Sequence, residues 1–185
     1  MKAQTNCPTR QTALIEMNTR WLRQALRLVE RLSDEAYATT PPGFAPHRAG
    51  AHLRHVLEFY QCFLDGVESF HIDYDARRRD ERIEHSRAAA AAAIRSIMAT
   101  LETAPALRRE AILWVRMEDA DASPVSECFM ESSVSRELQV LSSHTIHHFA
   151  LIAMTLRMHG VAMDFDFGMA PSTLRYLAAK TAEAA

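Results

Sequence analysis

The stretch from Leu138 to Met158 is largely apolar and carries a cluster of histidines, and it reads as one long helix. The helix is predicted to run from about Val134 to His159 and to stop at Gly160, a residue suited to the left-handed turn after a helix. An apolar face of that length has to be buried against other long helices, and the rest of the chain supplies them. Leu14, Met17, Trp21, Leu28 and Leu32 keep one face apolar and predict a first helix from about Thr12 to Ser33. Pro41-Pro42-Gly43-Phe44-Ala45-Pro46 then forces a loop. Leu53, Val56, Leu57, Tyr60, Leu64 and Val67 mark a second helix ending near Phe70, and His71 to Asp80 has the polar chemistry of a turn. Asp80 suits the N-cap of a third helix that carries Ile83, an alanine run, Ile94, Met98 and Leu101 and stops before Pro105. The alanine run reads as a close helix-packing surface.

Between the third and fourth long helices the period changes. Ala111-Ile112-Leu113-Trp114-Val115 is short and rich in β-formers, and Cys128-Phe129-Met130 follows an acidic loop from Glu118 to Asp121 and Pro124. These two runs predict a small β-hairpin. Pro171 opens a last short helix. The expected architecture is therefore all-α, a four-helix bundle with a β-hairpin inserted between helices three and four, forming one domain over residues 1–185.

Charge narrows the function. With 21 Lys and Arg against 23 Asp and Glu, the chain gives no electrostatic reason to expect nucleic acid or a membrane surface as partner. The basic run Arg77-Arg78-Arg79 is answered by Asp80, Glu81 and Glu84 and reads as a solvated helix start. Three scattered cysteines, Cys7, Cys62 and Cys128, indicate neither a disulfide framework nor a thiolate metal site, which suits a reducing cytoplasm. No leader-like or membrane-length apolar run is seen, so a soluble protein is expected.

The histidines carry the chemistry. His144 and His148 stand one turn apart on the fourth helix, with imidazoles on one face. Two ligands do not make a site, but the second helix independently offers His52 and His55, of which His52 lies nearer the centre of the apolar stripe. Facing helices of a bundle are where interior metal sites are built. Three neutral imidazoles at about 2.0–2.1 Å from zinc, with a fourth position open, would make a catalytic site rather than a structural one. Glu137 and Glu58 are the candidate carboxylates to orient an imidazole or act as base, and each also reads as a surface ion-pair partner. Asp73, Tyr74 and Asp75 either line the mouth of the site or cap the exit of helix two. His147 points about a hundred degrees away from His148 and reads as a packing residue. Nothing suggests a serine or cysteine nucleophile, because no Gly-x-Ser-x-Gly occurs and the apolar context of Cys62 raises its pKa.

The pattern Gly50-Ala51-His52-Leu53-Arg54-His55-Val56-Leu57, the segment Ile72-Asp73-Tyr74-Asp75 and the run Ser143-His144-Thr145-Ile146-His147-His148 resemble the DinB/YfiT-like superfamily, from the first helix to about Gly160. The resemblance implies a four-helix bundle, often a homodimer, that binds zinc, nickel or a similar divalent ion. Its characterised members include thiol-dependent transferases and isomerases. Carried over by motif register, the metal ligands are His55, His144 and His148, with His52 as the alternate to His55. Phe149-Ala150 stands where many relatives have Arg-Gly, which weakens any transfer of substrate identity.

The function expected from residues and resemblance together is that of a metal-dependent hydrolase or thiol-dependent S-transferase. Its partner would be a small-molecule substrate, a low-molecular-weight thiol among the candidates. The alternative is a non-catalytic metal-binding bundle that acts through self-association or a protein partner. The two differ at the metal, where an enzyme keeps one coordination position open and a structural site closes it.

Overall fold

The computed structural model describes residues 9–44, 47–117 and 129–183. Its first helix, α1 (Arg10–Arg31), starts where the Thr9 side chain accepts from the backbone N–H of Thr12, and it buries Leu14, Ile15, Trp21, Leu22, Leu28 and Val29 along one side. It ends two residues earlier than the periodicity predicts. Ser33 caps a separate short helix, α2 (Asp34–Ala38), with its side chain taking the N–H of Ala36 and two acids in the first turn. The buried Tyr37 of α2 donates its hydroxyl to the carbonyl of Ile83, tying this turn to the segment after the second long helix.

That second long helix is α3 (Ala49–Gly66), followed by a 3-10 turn over Val67–Ser69. The third predicted helix is broken in two, α4 (Glu81–His85) and α5 (Arg87–Thr103). Ser86 makes the break. It sits in extended backbone, its N–H closes α4 on Arg82, and its side chain caps α5 by accepting from Ala89. The fourth, α6 (Val134–Met158), starts at a Ser133 cap and gives way to Gly160 at φ +73°, as the sequence suggests. A last helix, α7 (Pro171–Glu183), begins at the proline.

α1, α5, α3 and α6 form the bundle, α1 packing on α5 and α6, and α3 packing on the same two. The alanine face of α5 buries Ala90 and Ala91 within it. α4 is clamped to the start of α3 by ion pairs from Arg48 and from Arg54 Nε to Glu84, the latter at 2.9 Å.

The inserted β-structure has one strand more than predicted. β2 (Ile112–Arg116) and β3 (Met130–Ser133) pair antiparallel, Ile112 opposite Ser133 and Val115 opposite Met130, as the arms of the expected hairpin. Cys128 and the loop from Glu118 to Asp121 with Pro124 lie outside the described residues. β1 (His71–Asp73) then pairs parallel with β2, His71 opposite Trp114, to give the order β1-β2-β3. The segment His71 to Asp80 is thus not all turn. Ile72 and Tyr74 alternate inward to full burial, the period-two pattern of a strand too short to announce itself in sequence. A tight approach makes the pairing possible: a Cβ on Gly66 would stand 2.4 Å from the carbonyl oxygen of His71. Among the described residues no helix is long and apolar enough to cross a membrane.

Candidate metal centre

α3 and α6 are packed neighbours, and the histidines of both helices meet between them. One donor atom each from His55, His144 and His148 lie within 4.8 Å of one another. The ring centroids are 4.9 Å apart for His55 and His144, 4.7 Å for His55 and His148, and 4.5 Å for His144 and His148. The i, i+4 spacing on α6 sets the last of these, and α3 brings its imidazole across the helix interface.

Burial leaves these rings neutral. It is the largest cause that lowers His55 to about 4, with Arg77 and Arg54 adding to it. His144 is lowered to about 4 by burial and then by His55, and His148 to about 3 by burial and then by His144 and His55. At neutral pH each ring therefore keeps a lone pair for a cation. The Nε2 of His144 is buried and has no hydrogen-bond partner, a state that leaves a polar atom without compensation for its lost water. Converging neutral imidazoles and an orphaned ring nitrogen fit a divalent cation.

His52 stands beside this group. Its Nδ1 is 3.2 Å from the Nδ1 of His148, its Nε2 is buried without a partner, and its ring stacks on His47 with centroids 5.4 Å apart. Burial lowers its pKa, with His47 and His147 contributing. His147 is exposed and meets His148 edge-on, outside the three-atom group.

The candidate carboxylates are both buried and both occupied elsewhere. Glu58 Oε1 accepts from the backbone N–H of Asp80 at 3.0 Å and from Arg54 at 3.1 Å. Burial raises its pKa and Arg54 works against the rise. Glu137 accepts from the Tyr74 hydroxyl at 2.8 Å and from the Ser132 hydroxyl. Among the described residues neither is hydrogen-bonded to a histidine. For Glu137 the reason is distance along the helix, since two turns before His144 amount to about 10 Å. They are also not surface ion-pair residues, being 2% and 4% exposed respectively. Tyr74 is fully buried rather than at a mouth, while Asp73 pairs with Arg116 and accepts from the backbone N–H of Asp75 and Ala76. Cys62 donates to the carbonyl of Asp73, and burial, reinforced by Asp73 and Asp65, pushes its thiol up to about 11, so it is no thiolate at neutral pH.

Two residues near the histidines escape sequence reasoning. Phe59, one turn after His55, stacks on His144 with ring centroids 4.3 Å apart and on Tyr74 at 5.0 Å. Arg77 lies over Phe59, its guanidinium carbon 5.1 Å from the ring centroid. A phenylalanine on an apolar stripe looks like plain core, and Arg77 looks like one charge in a solvated run. A groove of about 820 Å³ between α3, α5 and the segment leading to α4 is lined by Glu58 and Arg77 but by none of the three histidines.

The chain matches the family model of the DinB superfamily over residues 18–152. It is 35% identical over 106 residues to "FK506-binding protein 5" of Rhizopus delemar, a match covering 57% of this chain and 27% of that protein. The chain thus spans about a quarter of the length of the curated relative it matches. No solved structure matches it. With the family model covering the helices that carry all three histidines, the chain belongs to the DinB superfamily.

Proposed function

We propose that the protein is a metal-dependent enzyme of the hydrolase or thiol S-transferase class, with zinc or nickel held by His55, His144 and His148 and a small molecule as substrate. The observation that carries this is the three neutral imidazoles whose donor atoms lie within 4.8 Å of one another. When bound, a divalent ion supplies the lowering of the pKa of a water or thiol beside it, from 15.7 toward about 7 for water. The chain's part is to present uncharged nitrogens and to set their geometry. The rings are half-buried, burial keeps them unprotonated, and Phe59 backs His144 on a rigid aromatic face. Three protein ligands leave a position for the reacting group.

A second reading is supported by His52. With its Nδ1 3.2 Å from that of His148, a small rotation would make it a fourth ligand and close the site, which suits a non-catalytic metal-binding bundle acting through itself or a protein partner. Turnover separates the two. A panel of low-molecular-weight thiols with electrophiles, and of esters and amides with water, is assayed with and without chelator. Chelator-sensitive turnover supports the enzyme, and none on any member supports the closed site.

A further inference from the structure

Arg77 differs from Arg48, Arg54, Arg82 and Arg116, each of which pairs with an acid. Arg48 grips Glu84 through Nε and Nη2, and Arg82 grips Asp80 through the same two nitrogens, Nε at 2.9 Å and Nη2 at 2.7 Å. Arg54 faces Glu84 with its Nε, and Arg116 pairs with Asp73. Among the described residues Arg77 donates through Nη1, to the carbonyl of Tyr74 at 2.8 Å. Its Nε is buried with no hydrogen-bond partner, which holds for the Nε of Arg54 too, and what sets Arg77 apart from Arg54 is that among the described residues it makes no ion pair. Glu58 feels its charge, but the Oε1 of Glu58 is already taken by Arg54 and the Asp80 N–H. A buried donor left unmade is costly, because it has given up water and gained no partner. The Nε and Nη2 edge is the planar fork that matches a carboxylate with two parallel hydrogen bonds.

The fork's place is as telling as its vacancy. Arg77 lies over Phe59, and Phe59 stacks on His144, so the guanidinium is one aromatic ring from the imidazole cluster. Its positive charge is felt at both His55 and His144. It also lines the groove of about 820 Å³, together with Gln61, Arg78, Arg79, Ser96 and Thr100. A small molecule held there meets a fixed, half-buried cation.

We propose that Arg77 is the docking point for a substrate carboxylate, so that the small molecule acted on beside the histidines carries a carboxylate within a few bonds of its reacting atom. The inference rests on the metal-site reading above and names the class of its substrate. Two hydrogen bonds to one carboxylate fix the orientation of the remainder of the molecule, which is how a positioning contact lowers the entropy of reaching the reacting geometry.

Two arms test it. In the first, the Arg77 Nε–H signal, recognised in the ¹H–¹⁵N spectrum by its loss in Arg77→Lys, is followed in chelator-stripped protein. It is expected to shift saturably with acetate and succinate and not with sodium chloride at equal ionic strength. An unmoved signal, or an equal shift with chloride or inorganic phosphate, would overturn the proposal. In the second, cobalt-loaded protein is titrated with 3-mercaptopropionate and with 2-mercaptoethanol, read by the thiolate-to-cobalt absorption band. A charge-assisted pair predicts that the carboxylated thiol binds about tenfold or more tighter. Arg77→Gln should erase that preference while keeping cobalt content and 2-mercaptoethanol affinity, and Arg78→Gln should keep it. Equal affinity of the wild type for both thiols, or an unchanged preference in Arg77→Gln, would overturn it. Failure to take up cobalt would remove the metal site instead, and the metal-free titration would still decide the role of Arg77.

Discussion

Phe59 lies against His144 with ring centroids 4.3 Å apart and planes inclined by 29°. It is one helical turn beyond His55, so a single core residue touches imidazoles from both helices, meeting His55 edge-on at 4.9 Å. Replacing Phe59 with Leu keeps an apolar filling but removes the flat support. The stability loss should be about 1–2 kcal/mol in urea unfolding, as for core changes that alter shape more than volume. Metal affinity in a competition titration should fall more than stability does, because a loosened His144 ring must be ordered on binding. Unchanged metal affinity would mean that Phe59 is core and nothing else.

The metal-free protein should lose stability as pH falls below neutrality. The folded values, about 4 for His55 and His144 and about 3 for His148, lie below the ordinary histidine value of 6.5. Between these limits the unfolded chain binds more protons than the folded one, so unfolding becomes easier with each step down in pH. The stabilisation is complete above about 6.5 and drains away toward 4 and then 3. Urea midpoints of chelator-treated protein between pH 7 and pH 4.5 should trace this slope, and His148→Gln should flatten it. A flat wild-type profile would show that the rings are not held neutral.

Glu137 should behave as a structural acid. Its two oxygens take the Tyr74 and Ser132 hydroxyls and join α6 to the strands. Tyr74→Phe leaves this buried carboxylate short of one donor, at about 1–3 kcal/mol. Thermal unfolding should register that loss while metal content stays the same. A fall in metal content without a fall in melting temperature would place Glu137 in the metal site after all.

Gly66 should tolerate no side chain. A Cβ there would stand 2.4 Å from the His71 carbonyl oxygen and 3.0 Å from Ile72 Cγ1, so β1 would have to move away from the end of α3. Gly66→Ala is expected to destabilise by about 1–3 kcal/mol, an overpacking cost that outweighs the alanine's better helix propensity. A gain in urea midpoint would show that strand and helix are less closely joined.

The four long helices were legible because each repeats its apolar residues over several turns, and period survives small errors at the ends. His144, His148 and a partner from the second helix were legible because two helices independently carried imidazoles on apolar faces, and the family register named His55 as that partner. Between His52 and His55 the helical wheel favours His52 and the motif register His55; three residues along a helix separate them by only about sixty degrees and both face α6, and His55 is the one grouped with His144 and His148. β1 escaped notice because three residues are too few to show alternation, and its pairing depends on β2, some forty residues later in the chain. The break at Ser86 was hidden inside a run of good helix formers, where one capping hydroxyl outweighs local propensity. Arg77 was read as a solvated charge because nothing local reveals which of three adjacent arginines folds back over an aromatic ring.

The metal content of protein purified without added metal, set beside that of His148→Ala, tests the central claim most directly. The wild type should carry a stoichiometric divalent ion, and the variant should carry little or none while keeping its helical spectrum. Equal metal content in the two would contradict a site built from His55, His144 and His148.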